Sequence, residues 1–282
     1  MSKFDRKIDF VVLLSVNKAN SNGDPLNGNR PRQDFNGFGE ISDVCIKRKI
    51  RNRMQDMGQP IFVQSDDRCD DGAESLNKRA ELAGFKAIKT EAEFHKKACE
   101  TWMDVRAFGQ VFAFNNLGVK SLGVRGPVSI HQAVSVSPIE IEEMQITKSV
   151  SGERKSSETR GSDTMGMKYF VKFGLYVVKG SINVQLAEKT GFSQEDADIV
   201  KECLRTLFVN DCSAARPEGS MEVVRLYWWQ HNCKEGQYPS AKVHRSIHIT
   251  QKEAVDLPTS ADDYEVILDS LPGLEPEIIE GI

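Results

Sequence analysis

IDFVVLLSV, residues 8–16, is an unbroken run of apolar, largely β-branched side chains bounded by polar residues. A strand wetted on one face would alternate, so a continuous run predicts a central strand covered on both faces. The residues before it, Met1 to Arg6, are mostly polar and lead straight into the run with no cleavage pattern of a secretory signal. Nowhere is there a run of 18 apolar residues, so no membrane partner and a cytoplasmic location are expected.

Downstream, residues 17–38 read NKANSNGDPLNGNRPRQDFNGF, where Asn, Gly and Pro recur. Such residues supply tight turns and positive φ rather than regular structure, which predicts a long loop that is ordered or functional. Ser42 then caps a helix expected to reach about Met57, with Ile46, Ile50, Met54 and Met57 in one apolar stripe and Gly58 as the stop. Lys47 and Arg51 flank the stripe on one side, Lys49 and Arg53 on the other, and Arg48 points away from it.

Residues 60–103 read as a charged helical insertion, with a Thr90 to Glu93 capping box and Phe94, Ala98 and Trp102 on one face. Val128, Ile130, Val134 and Val136 alternate as a second strand, and Tyr169 to Val178 with Ser181 to Val184 form a third. Between them, about 139–167, alternating apolar ends and a Ser/Gly/charged tip fit a protruding hairpin. Ser193 to Asp196 is a second capping box, opening a helix with Val200, Cys203, Leu204, Leu207 and Phe208 on its apolar face, and MEVVRLYWW (221–229) is a fourth strand. Strand, helix, strand, insertion, strand, helix, strand is the split βαβ order of ferredoxin-like and RRM-like sheets, an α+β class.

The chain of 282 residues, 39% hydrophobic and 28% charged, can bury a sizeable core. Its six cysteines include no CxxC pair, which argues against a disulfide framework or zinc ribbon and for reduced thiols. The net charge of −4 conceals a division: residues 251–282 hold nine acidic residues against the single Lys252, leaving the body at +4.

Chemistry concentrates in two places. KRKIRNR (47–53) puts five cations within seven residues, suited to phosphates or, equally, to an exposed helix face. NSNGDPLNGNRPRQD (20–34) lets backbone amides approach a phosphate or base closely, beside Arg30 and Arg32. Asp24 and Asp34 could bind a metal or cleave RNA, but lack a third ligand and fit turn-ordering roles. His231, Cys233, His244 and His248 meet no standard zinc spacing, and no Walker or GxGxxG fingerprint follows a strand. Tyr227, Trp228 and Trp229 could stack on bases as RRM aromatics do, although adjacent strand residues face opposite ways and at least one must be core.

Taken together, NSNGDPLNGNRPRQD, SDVCIKRKIRN, DVRAFGQVFA (104–113), GPVSIHQAVSV (126–136) and MEVVRLYWW resemble the CRISPR-associated Cas7 family, and within it the type I-C Cascade branch. The likeness runs from the first strand to about Trp229. It implies an RRM-like palm built from residues 1–59, 104–138 and 168–250, a helical finger at 60–103, a thumb hairpin at 139–167 and an acidic C-terminal segment at 251–282. It further implies a non-catalytic subunit without cofactor or metal, stacking head to tail as a homo-oligomer in a helical filament on the guide RNA (crRNA). Other Cascade subunits and a target DNA strand would be its partners in antiviral defence.

Carried over, the resemblance assigns RNA contact to Asn20, Asn22, Gly23, Lys47, Arg48 and Arg51, with Arg125 and Arg216 added, and extends it to the neighbouring Arg30, Arg32 and Lys49. Met144, Ile146, Met165 and Met167 at the hairpin roots would wedge against displaced bases, thumb-to-palm packing being the alternative. Two rivals stay open: a metal-dependent ribonuclease of the same fold acting through Asp24 or Asp34, and a monomeric RRM-like mRNA binder.

Overall fold

In the computed structural model, which describes residues 2–114, 118–119, 121–147 and 165–282, the expected central strand runs from Ile8 to Ala19 (β1). Gly23–Asp24 (β2) and Arg30–Pro31 (β3) pair as a miniature hairpin inside the Asn/Gly loop, and Phe38–Ile41 (β4) follows. Asp43–Asp56 (α1) starts where Ser42 accepts from the Cys45 amide and stops before Gly58, whose φ of +75° favours glycine.

The insertion contains Leu76–Leu82 (α2), Glu91–Thr101 (α3), Met103–Phe108 (α4) and a two-stranded sheet of Gly109–Phe112 (β5) and Leu122–Arg125 (β6). Val128–Ile130 (β7), Ala133–Pro138 (β8), Ile141–Thr147 (β9) and the 18-residue Met165–Ile182 (β10) come next. Val184–Thr190 (α5), Gln194–Arg205 (α6), Met221–Gln230 (β11), Ser240–Arg245 (α7), Ile247–Gln251 (β12), Tyr264–Leu268 (β13) and Glu277–Glu280 (β14) complete the chain.

The main sheet has the order β14-β11-β1-β10-β8-β4, all antiparallel, with β7 and β9 pairing further stretches of β10. Because side chains alternate along β1, Phe10, Val12, Leu14 and Val16 enter one core and Val11 and Leu13 another. The first core is closed by Ile46, Ile50 and Met54 of α1 and Val200, Cys203 and Leu204 of α6, each such side chain contributing about 1.5–3 kcal/mol by leaving water. The second face is closed by Val243, Ile247, Tyr264, Leu271 and Leu274.

Several expectations change. The second strand is two short ones, β7 and β8; the third is one long strand; and Val184, expected in a strand, begins α5 behind its Asn183 cap. The acidic C-terminal segment is part of the fold, with β13 pairing β12 and β14 adding an edge to the main sheet. Both sheet faces being covered, Tyr227 and Trp229 are sealed beneath the 243–274 layer and Trp228 stacks on Phe10, so none of the three can receive a base. The hairpin pairs in register from Thr147↔Met165 to Ile141↔Val171, and its tip, 148–164, lies outside the described residues.

The insertion has its own aromatic core, where Phe62, Phe85, Phe94, Trp102 and Phe112 sit with ring centroids 4.6–5.1 Å apart in their closest pairs. That core reaches Val124, beyond the boundary at 103, because β5 and β6 lie over it. Two ion pairs fix it to the helices α6 and α1: Arg106 grips Asp196 through two bonds of 2.8 and 2.7 Å, and the buried Asp104 accepts from Arg51 Nε (2.9 Å) and the amides of Phe62 and Val63 (2.7 and 3.1 Å).

Removing Asp104 would orphan Arg51 and two amides at once, so Asp104→Ala is expected to cost about 3–5 kcal/mol, read as a lower urea midpoint with an unchanged slope. Asp67→Ala, on the surface of the insertion, should leave the midpoint in place.

Candidate nucleic-acid interface

β1 ends at Ala19, and the next three residues are tied down by backbone rather than left in solvent. The Asn20 amide donates to Ala215 O (2.9 Å), its side chain donates to Asn29 O (2.6 Å), and Ser21 is buried. Asn22 Oδ1 accepts from the Ser42 amide (2.9 Å), joining the loop to the first turn of α1. Asn20 and Asn22 therefore shape the loop with their side chains. Gly23 is required by space, since a Cβ there would lie 2.0 Å from Asn29 Oδ1 and 3.1 Å from Asn29 O.

The loop and the basic helix are neighbours, but only at the helix N-terminus. Farther along, the cations of 47–53 face protein. Lys49 is 4% exposed, paired with Asp211 and lying over the Phe208 ring, and burial pushes its ammonium pKa down while Asp211 opposes the shift. Arg51 is held by Asp104, and Arg48 donates to Val63 O at 2.7 Å. Lys49 and Arg51 are thus corrected from RNA-contacting residues to internal staples, and Arg48 is largely committed to the insertion. Their partners come from distant segments that cover the helix. Lys47 stays accessible, and its ammonium, bonded to Asp43 at 2.9 Å, holds that carboxyl below its usual range.

Arg216 meets Asp211 at 3.3 Å, in the same cluster as Lys49, with Cys45 beneath it; burial pushes the Cys45 thiol up despite the surrounding cations. Arg32 is 3.6 Å from Asp24, and Arg125 is exposed at the end of β6. Arg30 lies 4.4 Å over the Tyr169 ring and pairs with Glu143, linking the loop to the hairpin root. Arg30, Arg32, Lys47 and Arg216 thus stay partly accessible, Lys47 on the opposite flank of α1 from the Lys49–Asp211–Arg216 cluster.

Residues directly paired across antiparallel strands share a face. Met144 and Ile146 therefore lie on the face of Lys168 and Gly166, while Met165 and Met167 lie with Thr147 and Gln145 on the other. All four side chains are 46–68% exposed, which excludes packing onto the sheet, but they do not form one wedge. The two faces of the hairpin each carry a pair.

Asp24 Oδ1 accepts from the Leu26 amide and Asp34 Oδ1 from the amides of Asn36 and Phe38, the turn-ordering roles that compete with catalysis. Among the described residues no group of three His, Cys, Asp or Glu is placed to hold a metal. His231 instead bonds the buried Asp9 (2.9 Å) and His244 bonds Gly180 O (3.0 Å). No described helix is long and apolar enough to cross a membrane.

Sequence reasoning did not single out Asp211, Tyr169 or Glu143. The last two follow from hairpin register, since they are cross-strand partners; nothing local marks Asp211.

The class this defines is a mixed α/β protein with a large antiparallel sheet, an insertion with its own core and a cationic loop at one end of the sheet. Comparison with known proteins is consistent throughout. The family described as CRISPR-associated protein Cas7 matches residues 6–269. The chain belongs to the Cas7 family. A curated relative, the CRISPR-associated protein Cas7 of Haloferax volcanii, is 27% identical over 209 residues, covering 67% of this chain. The chain spans 60% of that relative's length. Among solved structures, a chain of a pre-nicking CRISPR RNA-guided surveillance complex shares the fold with a TM-score of 0.50 at 15% identity, covering 79% of this chain and 78% of its own. Another, from a CRISPR RNA-guided surveillance complex, gives 0.47 at 19% identity, covering 79% and 68%.

Gly23→Ala is expected to push Asn29 out of the loop and loosen the Arg30–Arg32 segment, seen as faster limited trypsin cleavage after Arg32, the Arg30–Pro31 bond being resistant, with little change in global melting.

Proposed function

We propose that this protein is a non-catalytic guide-RNA-binding backbone subunit of a CRISPR surveillance complex, of type I-C, that oligomerises along crRNA and supports recognition of a target DNA strand with other Cascade subunits. Family membership supports the setting, and the observation that carries RNA contact is that Arg30 and Arg32 stay partly accessible on a loop whose backbone is pinned in place, with Lys47 and Arg216 accessible on the two segments that pin it. Arg125 is an outlying member. The dipole of α1 adds positive potential where its N-terminal turn meets the loop.

The sheet supports an RRM-like palm. Taken as first to fourth strands, β1, β8, β10 and β11 lie in the order fourth, first, third, second, with α1 and α6 on one face. In this reading the finger comprises 60–125 and the thumb is rooted in the β9–β10 hairpin. Sequence information would lie in pairing between guide and target bases, while this chain holds backbone.

The ribonuclease alternative is disfavoured by Asp24 and Asp34 being spent on turn amides. Sequence-independent coating of guide-length RNA, seen as ordered filaments by electron microscopy, is the expected result, and a one-to-one complex at a short motif would favour the monomeric binder. Loss of RNA cutting in Asp24→Ala or Asp34→Ala, if the wild type cuts in magnesium, would establish the nuclease instead.

Arg216→Ala and Lys47→Ala should each weaken RNA binding similarly for all sequences and reduce the salt slope by about one charge. Lys49→Ala should act on stability. An unchanged slope for both surface variants would place the RNA elsewhere.

A further inference from the structure

We propose that Glu143 is a placeholder for a phosphate at Arg30, keeping the cation at the hairpin root in position until a nucleic-acid backbone exchanges for it. This rests on the RNA-binding reading above and specifies how one of its contacts is made.

Arg30 is placed by two partners from the same rungs of the hairpin. Tyr169 and Glu143 are opposite one another in β10 and β9, so their side chains share a face. The guanidinium lies 4.4 Å over the Tyr169 ring and donates through Nη2 to Glu143. The ring holds the cation by its quadrupole whatever the anion beside it, whereas the carboxylate can be replaced. The ion pair is partly exposed on both sides, at 32% and 45%, so water and salt already weaken it. A phosphodiester offers the same fork two oxygens and a full charge.

Glu143 also differs from Asp24, Asp104 and Asp211. Asp24 and Asp104 hold backbone amides, and Asp211 holds both Lys49 and Arg216. Among the described residues Glu143 has one partner, Arg30. Releasing it therefore breaks no other bond among the described residues. Outward on the same face come Met167 and Met165, so a nucleotide whose phosphate reaches Arg30 meets an apolar ledge for its sugar or base.

The test is a double-mutant cycle on binding of single-stranded RNA oligonucleotides, followed by fluorescence anisotropy at low and moderate salt. Glu143→Gln preserves shape and removes the competing charge, and is expected to tighten binding about two- to fivefold at low salt. Glu142→Gln removes the same charge from the opposite face and should gain clearly less. In an Arg30→Gln background the gain should vanish. The idea is overturned if Glu143→Gln weakens or leaves binding unchanged, if Glu142→Gln matches it, or if the gain survives loss of Arg30. Unchanged thermal melting of the half-exposed variants separates these outcomes from misfolding. Wild-type protein that binds no RNA would overturn the underlying reading as well.

Discussion

Everything in this molecule is referred to the hydrogen bonding of β1 along both edges. Its rungs to β10 run from Ile8↔Ile182 to Ala19↔Val171, and those to β11 from Ile8↔Gln230 to Val16↔Met221. With both faces also buried, a slip of one residue would exchange the contents of two cores, so the register is fixed. The end of the strand is therefore a fixed point, and the Asn/Gly loop that leaves it inherits that fixity through the Asn20 and Asn22 bonds. A register shift between Leu13 and Leu14 against β11 is absorbed before the loop begins.

The second organising feature is how positive charge is divided between folding and surface. Of the five cations in 47–53, Lys49 and Arg51 attach the helix to segments remote in sequence, Arg48 bonds a carbonyl, and Arg53 bonds Thr206 and Asp56. The accessible cations come from the loop, Lys47 near the start of the helix and the 211–216 turn. Density of charge in the sequence and availability of charge in space are therefore different quantities, because a buried cation must be paired or pay the cost of desolvation.

This division marks what could be read from the sequence. β1, the Ser42-capped helix, the Ser193–Asp196 capping box with its reciprocal bonds, and β11 are local in origin, and the order of elements that defined the sheet came from them. That the loop is ordered was legible too, since Asn and Gly at such density point to constrained backbone. The fate of Lys49 and Arg51 was not, because their partners lie 162 and 53 residues away. Nor was the burial of Tyr227 and Trp229, which depends on a layer contributed by residues 243–274. The four apolar residues at the hairpin roots could be picked out, but their exposure and their separation onto two faces needed the structure and its pairing register.

The last strand has a consequence for how the protein is made. β14 is hydrogen-bonded to β11 over Arg225↔Glu280 to Trp228↔Glu277, so the edge beside the most aromatic strand stays open until residues near 280 have emerged from the ribosome. A nascent or prematurely stopped chain would present an unpaired, aromatic-rich border to its neighbours, the usual template for edge-to-edge association. The glutamates flanking Ile278 and Ile279 then serve as electrostatic guards, closing the border with a strand that repels further additions.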